Sequence, residues 1–168
     1  MQISMYETLV PTANRMLGNL SAILDKGAAF AEARKFDVSV LLNARLAPDM
    51  FTLTRQVQIA CDMVKGAAAR LSRTEIPKYD DTETTIADLK ARIAKTLAFA
   101  SGIDAAKFSG SEDLDIVLQL RGSERKFKGL NYLRDFVLPN MYFHITTKYA
   151  ILRHNGVELG KPDFIGAP

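Results

Sequence analysis

The segment Gly129–Asn155, GLNYLRDFVLPNMYFHITTKYAILRHN, decides how the chain is read. Leu130, Leu133, Val137, Met141, His144, Thr147/Lys148 and Ile151 recur at three- and four-residue steps, which lays one stripe along a helix face. Leu130, Val137, His144 and Ile151 stand seven apart, so His144 holds a position that belongs to a core. The stripe is apolar in its first half and polar in its second. Asn140 precedes His144 by four residues, Thr147 follows by three and Lys148 by four. Lys148 lies on the same side as His144, about 40° away on an ideal helix. A lysine directed at a core must pair, snorkel to solvent or line a wet cavity, because a buried polar group without a partner costs free energy. The patch therefore reads in two ways. One is a satisfied core histidine with a snorkelling lysine; the other is a pocket wall between helices, where bundles commonly place sites. Pro139 predicts a bend in mid-helix, and Asn155-Gly156 a C-terminal stop.

Three further helices are expected to hide this stripe. Ile3, Tyr6, Val10, Ala13, Leu17, Leu20 and Leu24 predict a first helix over about Ser4 to Asp25, with a bend or break near Pro11 and an end at Lys26-Gly27. Residues 28–47 hold a second apolar cluster around Val38, Val40, Leu41 and Leu42, and read as a long structured crossover. Pro48-Asp49 predicts the start of the second helix, with Met50, Leu53, Val57, Ala60, Val64, Ala67 and Leu71 as its stripe. Gln58, Asp62 and Lys65 lie off that stripe. Thr85 and Asp88 form a loose capping box ahead of Ile86, Leu89, Ile93, Leu97 and Ala100, and Gly102 stops the third helix. From Leu114 to Gly129 the period changes. Leu114, Ile116, Leu118 and Leu120 alternate, Gly122-Ser123 is a turn signal, and the chain returns through Phe127, which predicts a β-hairpin. The expected fold is one all-α domain over residues 1–168. It is a four-helix bundle with a long crossover between helices 1 and 2 and a small β-hairpin inserted between helices 3 and 4.

Composition narrows the function classes. At 168 residues, with 48% hydrophobic and 24% charged residues, the chain is long enough for a sizeable core. The net charge of +3 is spread along the sequence, so no nucleic-acid partner is expected. The densest basic run, Arg121, Arg125, Lys126 and Lys128, reads as a solvated hairpin in preference to an anion site. The single cysteine, Cys61, excludes an internal disulfide and reads as an inert buried thiol. MQISMYETLV lacks the pattern of a signal peptide, and no apolar run is long enough to span a membrane. A cytoplasmic protein without a membrane partner is expected.

The other histidine, His154, lies ten residues from His144. That is about 15 Å along a helix, too far to share a metal. Asp49 and Gln56 lie on or beside the inward face of the second helix and could approach His144. Tyr132, Phe136, Tyr142, Phe143 and Tyr149 surround the last helix on more than one side, which points to a homodimer.

The blocks NARLAPDMFTLTRQVQIACD (Asn43–Asp62) and FKGLNYLRDFVLPNMYFHITTKYAILRHNGVELGKPDF (Phe127–Phe164) resemble an uncharacterised bacterial family of DinB-like proteins. The resemblance implies a DinB-like four-helix bundle. Active members of the wider superfamily hold a divalent metal with three histidines, one from the second helix and two, four residues apart, from the last. Some are thiol-dependent transferases or hydrolases. His144 matches the first of the late pair, Lys148 stands in the place of the second, and the second helix offers Gln56 or Asp49 but no histidine. The leading expectation is an interhelical small-molecule pocket built from Asp49, Gln56, Asn140, His144, Thr147 and Lys148, with Lys148 favouring a small anionic ligand. One alternative is a divalent-metal enzyme (Zn, Ni or Mn) with His144 as its surviving ligand. The other is an interaction protein acting as a dimer.

Overall fold

The structure, a computed structural model, describes residues 4–120 and 122–166. Ile3, expected to begin the first stripe, and Arg121 of the basic run lie outside the described residues. The elements in order are α1 (Met5–Ala33), α2 (Ser39–Asn43), α3 (Leu53–Leu71), α4 (Ile86–Ser101), β1 (Asp115–Leu120), β2 (Ser123–Lys128), α5 (Gly129–Asn131), α6 (Leu138–His154) and α7 (Lys161–Ile165). Two 3₁₀ turns, Ala105–Phe108 and Ser111–Asp113, lead into the hairpin. The bundle is α1, α3, α4 and α6, with α3 packed on both α4 and α6 and α1 completing the square. Its core runs from Leu9, Leu17, Leu20 and Leu24 through Val57, Val64 and Leu89 to Val137, Met141 and Ile151.

Local chemistry explains most of these boundaries. The Ser4 side chain accepts from Glu7 N–H, and α1 runs through Pro11 without interruption. It also continues past Gly27, where a stop was expected. A Cβ on Gly27 would sit 3.3 Å from Leu152 Cδ2, so this glycine permits close helix contact and is no terminator. The crossover accordingly begins only after Ala33 and contains α2. The second bundle helix starts later than Pro48-Asp49 suggested, because the Thr52 side chain supplies the cap by accepting from Arg55 N–H at 3.4 Å. The capping box at the third is present, with Asp88 N–H to Thr85 Oγ1 at 3.1 Å and Thr85 N–H to Asp88 Oδ2 at 2.9 Å.

The expected hairpin is present and pairs antiparallel, Ile116 opposite Phe127 and Leu118 opposite Arg125. The long last helix is interrupted by a π-helical turn, Tyr132–Val137, immediately before Pro139. Pro139 has no N–H to give Asp135 C=O, and the amide of Leu138 bonds Leu133 C=O instead. The wider turn absorbs one extra residue and rotates what precedes it by about 100°. Leu130, expected on the stripe, is therefore 46% exposed, while Tyr132 and Leu133 are buried.

Beyond the stop at Asn155-Gly156 the chain does not run out as a loose tail, as its Gly- and Pro-containing sequence suggests, but packs back on the bundle. Val157 and Leu159 are buried, and α7 packs along α1. Asp163 accepts from Gly160 N–H at 2.8 Å and pairs with Lys26 at 2.7 Å.

Gly129 marks the tightest approach between elements. A Cβ there would fall 1.8 Å from the carbonyl oxygen of Ser111, which is backbone and cannot swing aside. Gly129→Ala is expected to lower unfolding free energy by about 1–3 kcal/mol, the usual cost of overpacking, read from the urea midpoint. An unchanged midpoint would refute the close approach.

Candidate functional site

Gln56 lies one turn into α3 and His144 one and a half turns into α6, and the packing of these helices brings them together. His144 Nδ1 and Gln56 Oε1 are 2.7 Å apart, with both residues buried. Gln56 Nε2 donates to Phe51 C=O at 3.2 Å, so its amide oxygen faces the ring and must accept. His144 therefore carries its proton on Nδ1 and keeps a lone pair on Nε2. Burial pushes the imidazole down to about 4, and the nearby Arg55 guanidinium acts in the same direction. The ring is neutral at pH 7. Phe143 stands edge-on to it at 5.2 Å between centroids.

The other residues singled out from the sequence do not join this pair. Lys148 is wholly buried, and its Nζ donates to Leu20 C=O of α1 at 3.0 Å. Burial drives its amine well below the ordinary lysine value, with the Asp25 carboxylate acting weakly the other way. It neither snorkels nor lines a cavity with His144. Thr147 Oγ1 donates to Phe143 C=O at 2.8 Å and Asn140 Nδ2 to Phe136 C=O at 2.6 Å, so both side chains satisfy their own helix. Asp49 is exposed in the turn that precedes α3. The nearest hollow is an apolar groove of about 340 Å³ on the outside of α6, lined by Leu46, Pro139, Tyr142, Phe143, Thr146, Thr147 and Ala150. The aromatic ring around the last helix is largely covered by the chain itself. Phe127 packs on Tyr132 and Phe136, and Phe164 on Tyr149, leaving Tyr142 and Phe143 exposed.

A second polar centre lies between α3 and α4. Arg92 is 4% exposed and bonds Asp62 at 2.9 Å, Asp81 at 3.0 Å, Glu83 at 2.8 Å and Asp80 C=O at 3.1 Å. Burial works against the Glu83 carboxylate, but Arg92 and Gln58 hold its pKa below the usual value. Gln58 and Lys65, which lie off the apolar stripe, are buried here. The nearest signal in the sequence is the acidic run Asp80–Glu83, whose partners are distant in the chain. Cys61 is buried in the same region, and its thiol is pushed up to about 12, which leaves no thiolate near neutrality.

Residues 5–165 match a family described as a domain of unknown function (DUF1993). A solved structure, a DinB family member protein from Shewanella denitrificans, is 48% identical, with a TM-score of 0.91 over 97% of this chain and 92% of that one. The chain belongs to this DUF1993 family of DinB-like bundles. No curated protein matches it. Among the described residues, no helix is long and apolar enough to cross a membrane.

The residues present do not fit a three-histidine metal centre. His144 Nε2 is the one imidazole nitrogen at the site, Gln56 is committed to Nδ1, and Lys148 Nζ is directed at α1. No group of three or more His, Cys, Asp or Glu among the described residues is placed to hold a metal ion.

Both buried bases leave a pH signature. Between a folded pKa of about 4 and the ordinary 6.5, the unfolded chain binds the His144 proton and the folded chain does not, so stability rises with pH across that window. A His144→Gln chain is expected to lose that slope in urea titrations from pH 4 to 7. The same sign holds for Lys148 from its depressed folded pKa up to 10.5. Lys148→Met should stabilise the fold at pH 7, by on the order of 1–2 kcal/mol, and flatten the alkaline slope. A destabilised Lys148→Met protein would show that the amine is worth more than the apolar packing that replaces it.

Proposed function

We propose that this chain is a cytoplasmic, one-domain DinB-type bundle that acts by association, as a homodimer, and not by metal chemistry. The observation that carries this reading is the position of Lys148. At the position where the resemblance implies a second histidine, it is fully buried against Leu20 C=O, which supports a packed core there in place of a metal site. The surface beside it supports an interface. Leu46 is 42% exposed, Phe51 52%, Tyr142 39% and Phe143 54%, and Leu46, Tyr142 and Phe143 share one apolar groove. Lys148 is directed at α1 and does not supply the cation that an anionic small molecule at His144 was expected to meet, which weakens the pocket reading.

A metal-dependent transferase or hydrolase remains the second reading, because His144 Nε2 keeps a free lone pair. The two separate cleanly. Light scattering after size exclusion is expected to give a dimer for the native chain and a monomer for Phe143→Ser combined with Tyr142→Ser, with unchanged helical circular dichroism. Metal analysis of protein purified without chelator, then titrated with zinc, nickel and manganese, is expected to show no stoichiometric binding. A native monomer would remove the association reading, and one tightly bound ion per chain would favour the enzyme.

A further inference from the structure

The α3–α4 connection, residues 72–85, is longer than the ~2–8 residues usual between bundle helices. Its stretch from 74 to 84 has neither helix nor strand, and no residue from 73 to 85 is buried. No apolar anchor holds it. It is fastened by polar contacts: Arg55 with Asp81, Arg92 with Asp81 and Glu83, Gln58 Nε2 to Glu83 at 2.8 Å, and Tyr79 OH to Lys95 C=O at 3.4 Å. Beneath it, Gln58, Lys65, Arg92 and Thr96 are buried on the outer faces of α3 and α4, an unusual density of polar groups for a bundle exterior to hide.

The charges are complementary across this contact. The helices present Arg55, Lys65, Arg92 and Lys95 against the carboxylates of Asp62 and Asp88, and the covering segment supplies Asp80, Asp81 and Glu83. Lys65 Nζ and Lys95 Nζ each lie 4.2 Å from the centre of the Tyr79 ring. Arg92 Nε is buried with no hydrogen-bond partner among the described residues, although Arg92 lines an open cleft of about 390 Å³ with Tyr79, Glu83 and Lys95. An arginine fork accepts carboxylate and phosphate oxygens in the same geometry.

We propose that residues 74–84 form a displaceable strap over an oxyanion-binding groove between α3 and α4. Asp81 and Glu83 occupy the places at Arg55 and Arg92 that the oxygens of an external carboxylate or phosphate take when the strap lifts. Arg55 lies between this groove and His144; the rest of the groove comes from α3, α4 and the strap, and the proposal does not rest on the function proposed for the His144 region.

Cys61 reports on the strap. It is the single cysteine, it is fully buried, and its thiol lies within electrostatic reach of Arg92 and Glu83. In a chain carrying Asp81→Asn and Glu83→Gln, a thiol reagent is expected to modify Cys61 about tenfold faster than in the native chain, since charge-assisted bonds are lost. That chain should also bind pyrophosphate or citrate measurably by calorimetry. In the native chain, pyrophosphate or citrate should accelerate the modification more than sodium chloride at equal ionic strength, and the more effective of the two assigns the ligand as phosphate or carboxylate. Gly129→Ala, which weakens the fold away from the strap, serves as control: its rate should follow its global stability alone. The proposal is overturned by an unchanged rate in the double variant, by a rate that rises only in step with global unfolding, or by an equal response to chloride.

Discussion

Pro139 cannot donate a backbone hydrogen bond, and the phase of the last helix follows from how that is resolved. The π-helical turn Tyr132–Val137 takes up one extra residue before the proline. Downstream, Met141, His144, Ile145, Lys148 and Ile151 face the core; upstream, Tyr132 and Leu133 do, and Leu130 is turned out. A straight α-helix through the same residues could not satisfy both halves. The cover over the upstream half, Phe127 of the hairpin, and the contact of Gly129 with Ser111 are matched to this rotated phase.

Two ways of hiding polarity coexist in the bundle. Near α6, each polar side chain is given a nearby backbone carbonyl or, for His144, one amide. The neutral imidazole and depressed lysine amine are the electrostatic result, since neither has a carboxylate in contact. Between α3 and α4 the charges are kept and paired. Asp62, Asp81 and Glu83 surround Arg92. The first arrangement resists hydration and suits a packed interior. The second keeps charge in place by pairing it, and it depends on a segment with no buried residue of its own between positions 73 and 85.

The features legible in the sequence were those set by local pattern. Most of each helical stripe, the Thr85–Asp88 cap and the β-hairpin depend on residues a few positions apart, and the structure has them. Elements set by distant packing were not legible. Gly27 looks like a stop until Leu152 is placed against it. Gln58 and Lys65 look like a solvated flank until the strap crosses them. At the candidate site, the meeting of Gln56 with His144 could be anticipated from the inward faces of two helices. The destination of Lys148 could not, because its partner is a carbonyl on α1, 128 residues earlier in the chain.

The buried amine of Lys148 also ties folding to the solution around it. An unfolded chain carries this lysine as an ammonium ion below pH 10.5, while the folded interior admits it as an amine above its depressed pKa. Between those limits, each molecule that folds hands one proton to the buffer. Within that window the heat of folding includes the ionisation heat of whatever buffer receives the proton, so calorimetric enthalpies taken in two buffers of different ionisation heat differ for the same protein at the same pH.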